Sequence, residues 1–157
     1  QVFFVSLGGF DTHNNQNQTH ADLMARVAHA LRYFDTALGA IGARNNVTTF
    51  TASDFGRSFT SNGDGTDHAW GSHQFIMGGD VIGGSVYGQF PTIGIDVANG
   101  FQNPNMSGNV FIPQMSVDQY AGTIGRWFGI TDGQLDTIFP NLRNFSRNVG
   151  FMNAPSA

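Results

Sequence analysis

The first apolar run, Val2, Phe3, Phe4, Val5 and Leu7 around Ser6, is short and rich in β-branched and aromatic residues, the pattern of a buried strand. From Thr19 the period changes. Leu23, Val27, Leu31, Phe34, Leu38 and Ile41 recur at steps of three and four, which gathers them on one face of a helix. Thr19 with Asp22 three residues later has the form of a capping box. The stretch "VTTFTAS", Val47 to Ser53, then alternates apolar with polar positions and predicts a second strand that ends at Asp54. Strand, helix and strand in that order make a βαβ unit, whose crossover sets the two strands parallel. The expected fold class is therefore α/β, with a mostly parallel sheet flanked by helices, in one domain over residues 1–157.

Between Gly56 and Gly100 the chain is rich in glycine and poor in helix signals, a composition suited to loops that approach a ligand closely. Two helices follow, one opened by Ser116 with Gln119 and one by Thr131 with Gln134, each a hydroxyl and an amide three residues apart. Their apolar members Val117, Tyr120, Ile124, Trp127, Leu135, Ile138 and Phe139 read as core. The closing "NAPSA" reads as a frayed tail.

Candidate chemistry sits where the expected strands end. "GGFDTHNNQ" places Asp11 and His13 two residues apart, both suited to a divalent ion. "SDFGRS" supplies Asp54 and Arg57, and "GTDHAWGSH" supplies Asp67, His68 and His73. A parallel sheet would bring Asp11 and Asp54 to one edge, so that Asp11, His13, Asp54 and His68 offer two carboxylates and two imidazoles to zinc, manganese or a similar ion. One or two such ions would activate a nucleophile and stabilise the leaving oxygen of a phosphate or sulfate ester. Asp67 reads either as a further metal ligand or as a loop cap. Arg57 reads either as a catalytic fork on a tetrahedral anion or as the partner of a nearby carboxylate. His73 is better suited to a supporting place than to ligation, and His20 and His29 fall on the helix.

Composition narrows the function classes. Lys+Arg 7 against Asp+Glu 11 gives a net charge of −4, and no basic cluster offers a footprint for nucleic acid. All the cations are arginine and only 11% of residues are charged, so solubility rests on Asn, Gln, Ser, Thr and Gly. Cysteine is absent, which removes disulfides, thiolate metal sites and cysteine nucleophiles. No run approaches the roughly 18 apolar residues of a membrane span. A weakly charged surface of this kind associates readily, which suits a binding or self-assembling protein as well as an enzyme.

The motifs "GGFDTH", "TASDFGRS", "GTDHAWGSHQFIMGGDVIGGSVYG" and "IPQMSVDQYAGTIGRWFGITDGQLDTIFPNL" resemble, in order, the C-terminal part of the bacterial domain of unknown function 1501 family. The resemblance implies a relation to the alkaline phosphatase and sulfatase superfamily: an α/β sandwich, a binuclear metal centre and export, often through a twin-arginine signal. By order and type, Asp11 and His13 resemble that superfamily's first acid and histidine ligands, Asp54 its second acid and His68 its closing histidine. Asp54 stands where the family usually has Glu, and Ala69 where it usually has Gly. The superfamily's nucleophile and another metal acid belong to an N-terminal half, so no residue here is assigned as nucleophile. The chain is accordingly expected to be the C-terminal part of a larger alkaline-phosphatase-like domain, completed by an N-terminal companion segment, or a shortened homologue, with self-association as a further means of covering its sheet edge. The implied function is an extracytoplasmic, periplasmic or secreted, metal-dependent hydrolase acting on a small anionic ester or a sulfated or phosphorylated glycan. The alternative is a secreted binding or structural protein on the same fold.

Overall fold

The structure, a computed structural model, describes residues 1–93 and 103–153. The predicted helix forms as α1, Gln16–Ala40. Leu23 and Leu38 are its buried positions, with Val27 and Leu31 half-buried between them, so the apolar stripe read from the sequence is the face that packs. Phe34, between Leu31 and Leu38, and Ile41, just past the helix, stay in solvent. The start lies earlier than Thr19 because the cap comes from elsewhere in the chain. Asn15 takes a left-handed conformation (φ 46°), and Asp64 accepts from the Asn15 backbone N–H at 2.7 Å and, through its own carbonyl, from that of Gln16 at 3.0 Å. An acceptor 49 residues away satisfies the orphan donors that a local capping box would otherwise serve.

The strands are β1 Thr48–Phe50, β2 Gly56–Ser61, β3 Thr66–Ala69, β4 Ile76–Gly78, β5 Met106–Ser107 and β6 Val110–Phe111. They form antiparallel pairs, β1 with β4, β2 with β3 and β5 with β6. The expected α/β fold with a mostly parallel, alkaline-phosphatase-like sheet is thereby overturned: among the described residues no strands run parallel. The cause lies at both ends of the supposed βαβ unit. Thr48 to Phe50 meets Gly78 to Ile76 in antiparallel register and not the opening segment. Val2 to Leu7 joins no ladder, and Val2, Phe3, Phe4 and Val5 are 80–91% exposed. An apolar run marks a chain able to make a strand, but pairing and cross-strand neighbours are what stabilise one. The glycine-rich stretch after Gly56 departs from expectation in the other direction, since it holds the β2–β3 hairpin and β4; its positions 94–100, like 154–157 of the expected frayed tail, lie outside the described residues.

Both late helices appear as read: α2, Val117–Trp127, and α3, Asp132–Ile138. Ser116 and Gln119 cap α2 reciprocally, each side chain serving the other's backbone N–H at 3.1 Å, and Gln134 accepts from the Thr131 N–H at 2.9 Å. Tyr120, Ile124 and Trp127 form the inward stripe of α2 and pack with Phe151, Met152, Val149, Val81, Tyr87 and Ile76. Leu135 and Leu142 are fully buried beside them, Leu142 against the α2 backbone where Gly122 leaves no room for a Cβ. Val117 and Ile138 face solvent. Trp127 Nε1 donates to Asp80 at 2.8 Å, tying α2 to the loop after β4. The chain exposes 10602 Å², against about 7,700 Å² for a compact chain of this mass, so the core is small for the length. No helix among the described residues is long and apolar enough to cross a membrane.

Burial pushes the Tyr120 hydroxyl from an ordinary 10.0 up to about 12. Its contribution to stability is fully present below the unfolded value and is lost as pH rises through the folded one. Alkaline unfolding followed by circular dichroism should show a shallower loss of stability between about pH 10 and 12 for Tyr120→Phe than for the parent chain. Equal slopes would contradict the burial of this phenol.

Candidate metal centre

The site is made where the segment before α1 meets the β2–β3 hairpin. The Asp64 contacts that start α1 hold residues 15 and 16 to the hairpin loop, and the Thr66 N–H donates to the Thr12 carbonyl at 3.4 Å. Gly65 permits the approach. A Cβ there would fall 2.3–2.5 Å from the backbone of Thr12 and His13, so no other residue fits without moving that strand of chain. Thr12 itself is buried, and its neighbours Asp11 and His13 project to the exposed side.

On that side Asp11, His13 and His68 converge, each offering a ligand atom within 4.8 Å of the others. Asp11 Oδ1 lies 2.6 Å from His68 Nε2 and 2.9 Å from His13 Nε2, and the two Nε2 atoms are 3.2 Å apart. Ligand atoms around an ion with bonds of about 2.1 Å are spaced by roughly 3.0–3.4 Å, so the triangle would have to open, most at its shortest edge, the 2.6 Å from Asp11 to His68. Without an ion, His68 Nε2 donates to Asp11; were both rings to turn their Nε2 lone pairs inward, the three groups would all be acceptors facing one point, which a cation would relieve.

Hydrogen bonding to His68, followed by that to Arg57, holds the Asp11 carboxyl below the usual carboxylate range, against an opposing desolvation. Arg57 reaches Asp11 Oδ1 with Nη1 at 3.2 Å, donates from Nε to Thr66 Oγ1 at 3.0 Å and from Nη2 to the Thr66 carbonyl. Its fork is thus largely committed to the protein, the carboxylate-partner alternative of the sequence reading. Phe55 stacks flat on His68, centroids 4.3 Å apart at 11°, and the Arg57 guanidinium carbon lies over the Phe55 ring at 5.6 Å from its centroid.

The remaining candidates fall outside the triangle. Asp67 approaches His13 from its far nitrogen, Nδ1, at 3.3 Å. Asp54 is exposed in the turn before β2 and is not one of the converging group. His73 stacks on Phe90 at 5.4 Å, and His20 meets Phe10 edge-on at 6.3 Å on α1. Phe55, Asn62 and Thr66 were not singled out in the sequence. Strand alternation around the register pair Arg57 and His68 would have placed Phe55 and Arg57 on one face.

The family model described as "Protein of unknown function (DUF1501)" matches residues 1–139. The chain belongs to this family. No curated protein and no solved structure matches it. The matched DUF1501 region contains Asp11, His13, Arg57, Asp67 and His68, so the whole cluster lies within the family's span.

The lowered Asp11 pKa predicts a measurable order of effects. Carboxyl ¹³C titration should place the Asp11 midpoint below the ordinary 3.8. His68→Ala should raise it more than Arg57→Ala does, because the hydrogen bond to His68 is the larger cause. Stability linked to Asp11 is present above the unfolded value and lost as pH falls through the lowered one. A midpoint at or above the ordinary value would show that the three groups do not meet in solution.

Proposed function

We propose that Asp11, His13 and His68 hold a divalent ion, zinc, manganese or a similar metal, and that the chain is an exported metal-dependent hydrolase of phosphate or sulfate esters. The observation that carries this reading is the convergence of one carboxylate oxygen and two imidazole nitrogens within 3.2 Å of each other. A three-ligand set of this kind leaves positions open, as catalytic rather than structural metal sites do. Its exposure leaves it accessible to a small anionic ester or to a sulfated or phosphorylated glycan.

An ion bound here supplies Lewis acidity to a phosphoryl or sulfuryl oxygen. Asp11 contributes the negative charge that retains the cation, and Arg57 holds Asp11 in place while reducing the repulsion between that carboxylate and an approaching anion. Thr12, the hydroxyl nearest in sequence, is buried and has no hydrogen-bond partner among the described residues, so its hydroxyl is shielded from a ligand arriving from solvent. The ester class and the extracytoplasmic location rest on the motif resemblance to the alkaline phosphatase and sulfatase superfamily, whose first acid, its histidine and the closing histidine correspond in order to Asp11, His13 and His68.

A second reading, a secreted binding or self-assembling protein, is favoured by one observation. The apolar face of Val2 to Val5 is open, and a face of that kind commonly marks a contact with another polypeptide.

Elemental mass spectrometry of the purified protein should find a stoichiometric transition metal that is lost in His13→Ala/His68→Ala, together with metal-dependent turnover of an aryl phosphate or aryl sulfate. Bound metal without turnover would move the assignment to the second reading. Absence of metal after incubation with zinc and with manganese would remove the hydrolase.

A further inference from the structure

The face of the β2–β3 hairpin that carries the site continues past His68. Ala69 is buried at 7% and Trp70 is 68% exposed, so the alternation that turns His68 to solvent turns Trp70 the same way. On β2, Gly56 and Ser58 are buried, while Phe55 and Arg57 lie on the His68 side. The register sets Arg57 opposite His68 and Gly56 opposite Ala69, and one further step brings Phe55 opposite Trp70. His68 and Trp70 then follow one another on this face about 7 Å apart. The ladder ends at Ala69, and Trp70 occupies the bend beyond it. Gly56 permits that bend: a Cβ there would overlap the Gly71 carbonyl oxygen, so the chain folds against the buried side of the hairpin directly after Trp70 and leaves the indole outside.

The chain has two tryptophans, and they are used differently. Trp127 packs on the core and its Nε1 donates to Asp80. Trp70 has no hydrogen bond and no ring contact among the described residues. Its neighbours on the face are committed, Phe55 to His68 and Arg57 to Asp11 and Thr66. We propose that Trp70 is a specificity-determining residue, a flat platform beside Asp11, His13 and His68 on which the ring of a cyclic phosphate or sulfate ester stacks. An indole offers a broad apolar face with negative charge density, which favours the C–H bonds of a sugar ring or the offset face of an aryl ring. Placement suits such a ligand. A tetrahedral anion at the converging atoms carries its ring one ester oxygen away, over the next side chain on the face, and that side chain is Trp70. An ester of a short open chain would leave the indole uncovered.

This deepens the proposed ester hydrolysis and rests on that reading for the anion, but recognition of the ring is read by binding alone. Methyl phosphate, phenyl phosphate and glucose 1-phosphate present the same anion with no ring, an aryl ring and a sugar ring. In ligand-observed NMR titrations of the zinc-loaded protein, at least one ring-bearing ester should bind about 3–10-fold more tightly than methyl phosphate. Tryptophan emission of the parent should change as that ester binds, and the change should vanish in Trp70→Phe. Trp70→Ala should bind the three esters alike, with methyl phosphate as in the parent, while Trp70→Phe keeps part of the preference. Both variants should retain the parent's circular dichroism, because the side chain is exposed. A preference for phenyl phosphate alone, or for glucose 1-phosphate alone, upholds the platform and names its ring. Equal affinity of the parent for all three esters, no binding of any, or a preference that survives Trp70→Ala would overturn the proposal. A preference lost in Trp70→Ala without turnover of any ester would uphold the platform and remove the hydrolase reading alone, whereas turnover with equal affinities would do the reverse.

Discussion

The candidate site depends on the docking of residues 12–16 onto the β2–β3 hairpin. Asp64 closes the start of α1 from the hairpin loop, the Thr66 N–H reaches the Thr12 carbonyl, and Gly65 removes the side chain that would keep the two backbones apart. These contacts set two segments nearly fifty residues apart in the chain side by side. Asp11 and His13 from one, Arg57 and His68 from the other, then have no alternative to meeting. Helix capping and site assembly are accordingly one interaction: the donors that need satisfying at the start of α1 are satisfied by the element that carries the remaining functional groups.

Around that junction the charged and titratable groups centre on the Asp11 carboxylate. The Asp11 oxygen is shared by two imidazoles and a guanidinium, which keep it ionised, and Arg57 is itself anchored by Thr66. The groups are open to solvent apart from the Arg57 stem, so ion pairing among them alone adds little to stability. Asp11, His13 and His68 are thus an exposed set of groups that could hold a metal ion.

Local features of the sequence were legible and pairing was not. The three-four spacing of α1 and the amide-hydroxyl spacing before α2 and α3 are short-range signals, and each helix forms where they stand. Asp11, His13 and His68 were recognisable by residue type and by family motif. The parallel sheet failed because Val2 to Leu7 has strand composition without a ladder, and because Thr48 to Phe50 finds its neighbour in Ile76 to Gly78, which a glycine-rich context concealed. The parallel sheet would set Asp54 beside Asp11, and the family resemblance would make it the second acid ligand. In the antiparallel arrangement Asp54 lies in the turn before β2, outside the converging group, and Asp67, read as ligand or cap, lies against the far side of His13.

The central claim is that one carboxylate and two imidazoles enclose an ion, and X-ray absorption at the zinc edge of the zinc-loaded protein addresses it directly. The structure predicts nitrogen and oxygen neighbours at about 2.0–2.1 Å with the outer-shell scattering of two imidazole rings, reduced to one ring in His13→Gln. A spectrum of oxygen neighbours without imidazole scattering would mean that zinc sits elsewhere on the surface and that Asp11, His13 and His68 do not form a metal centre.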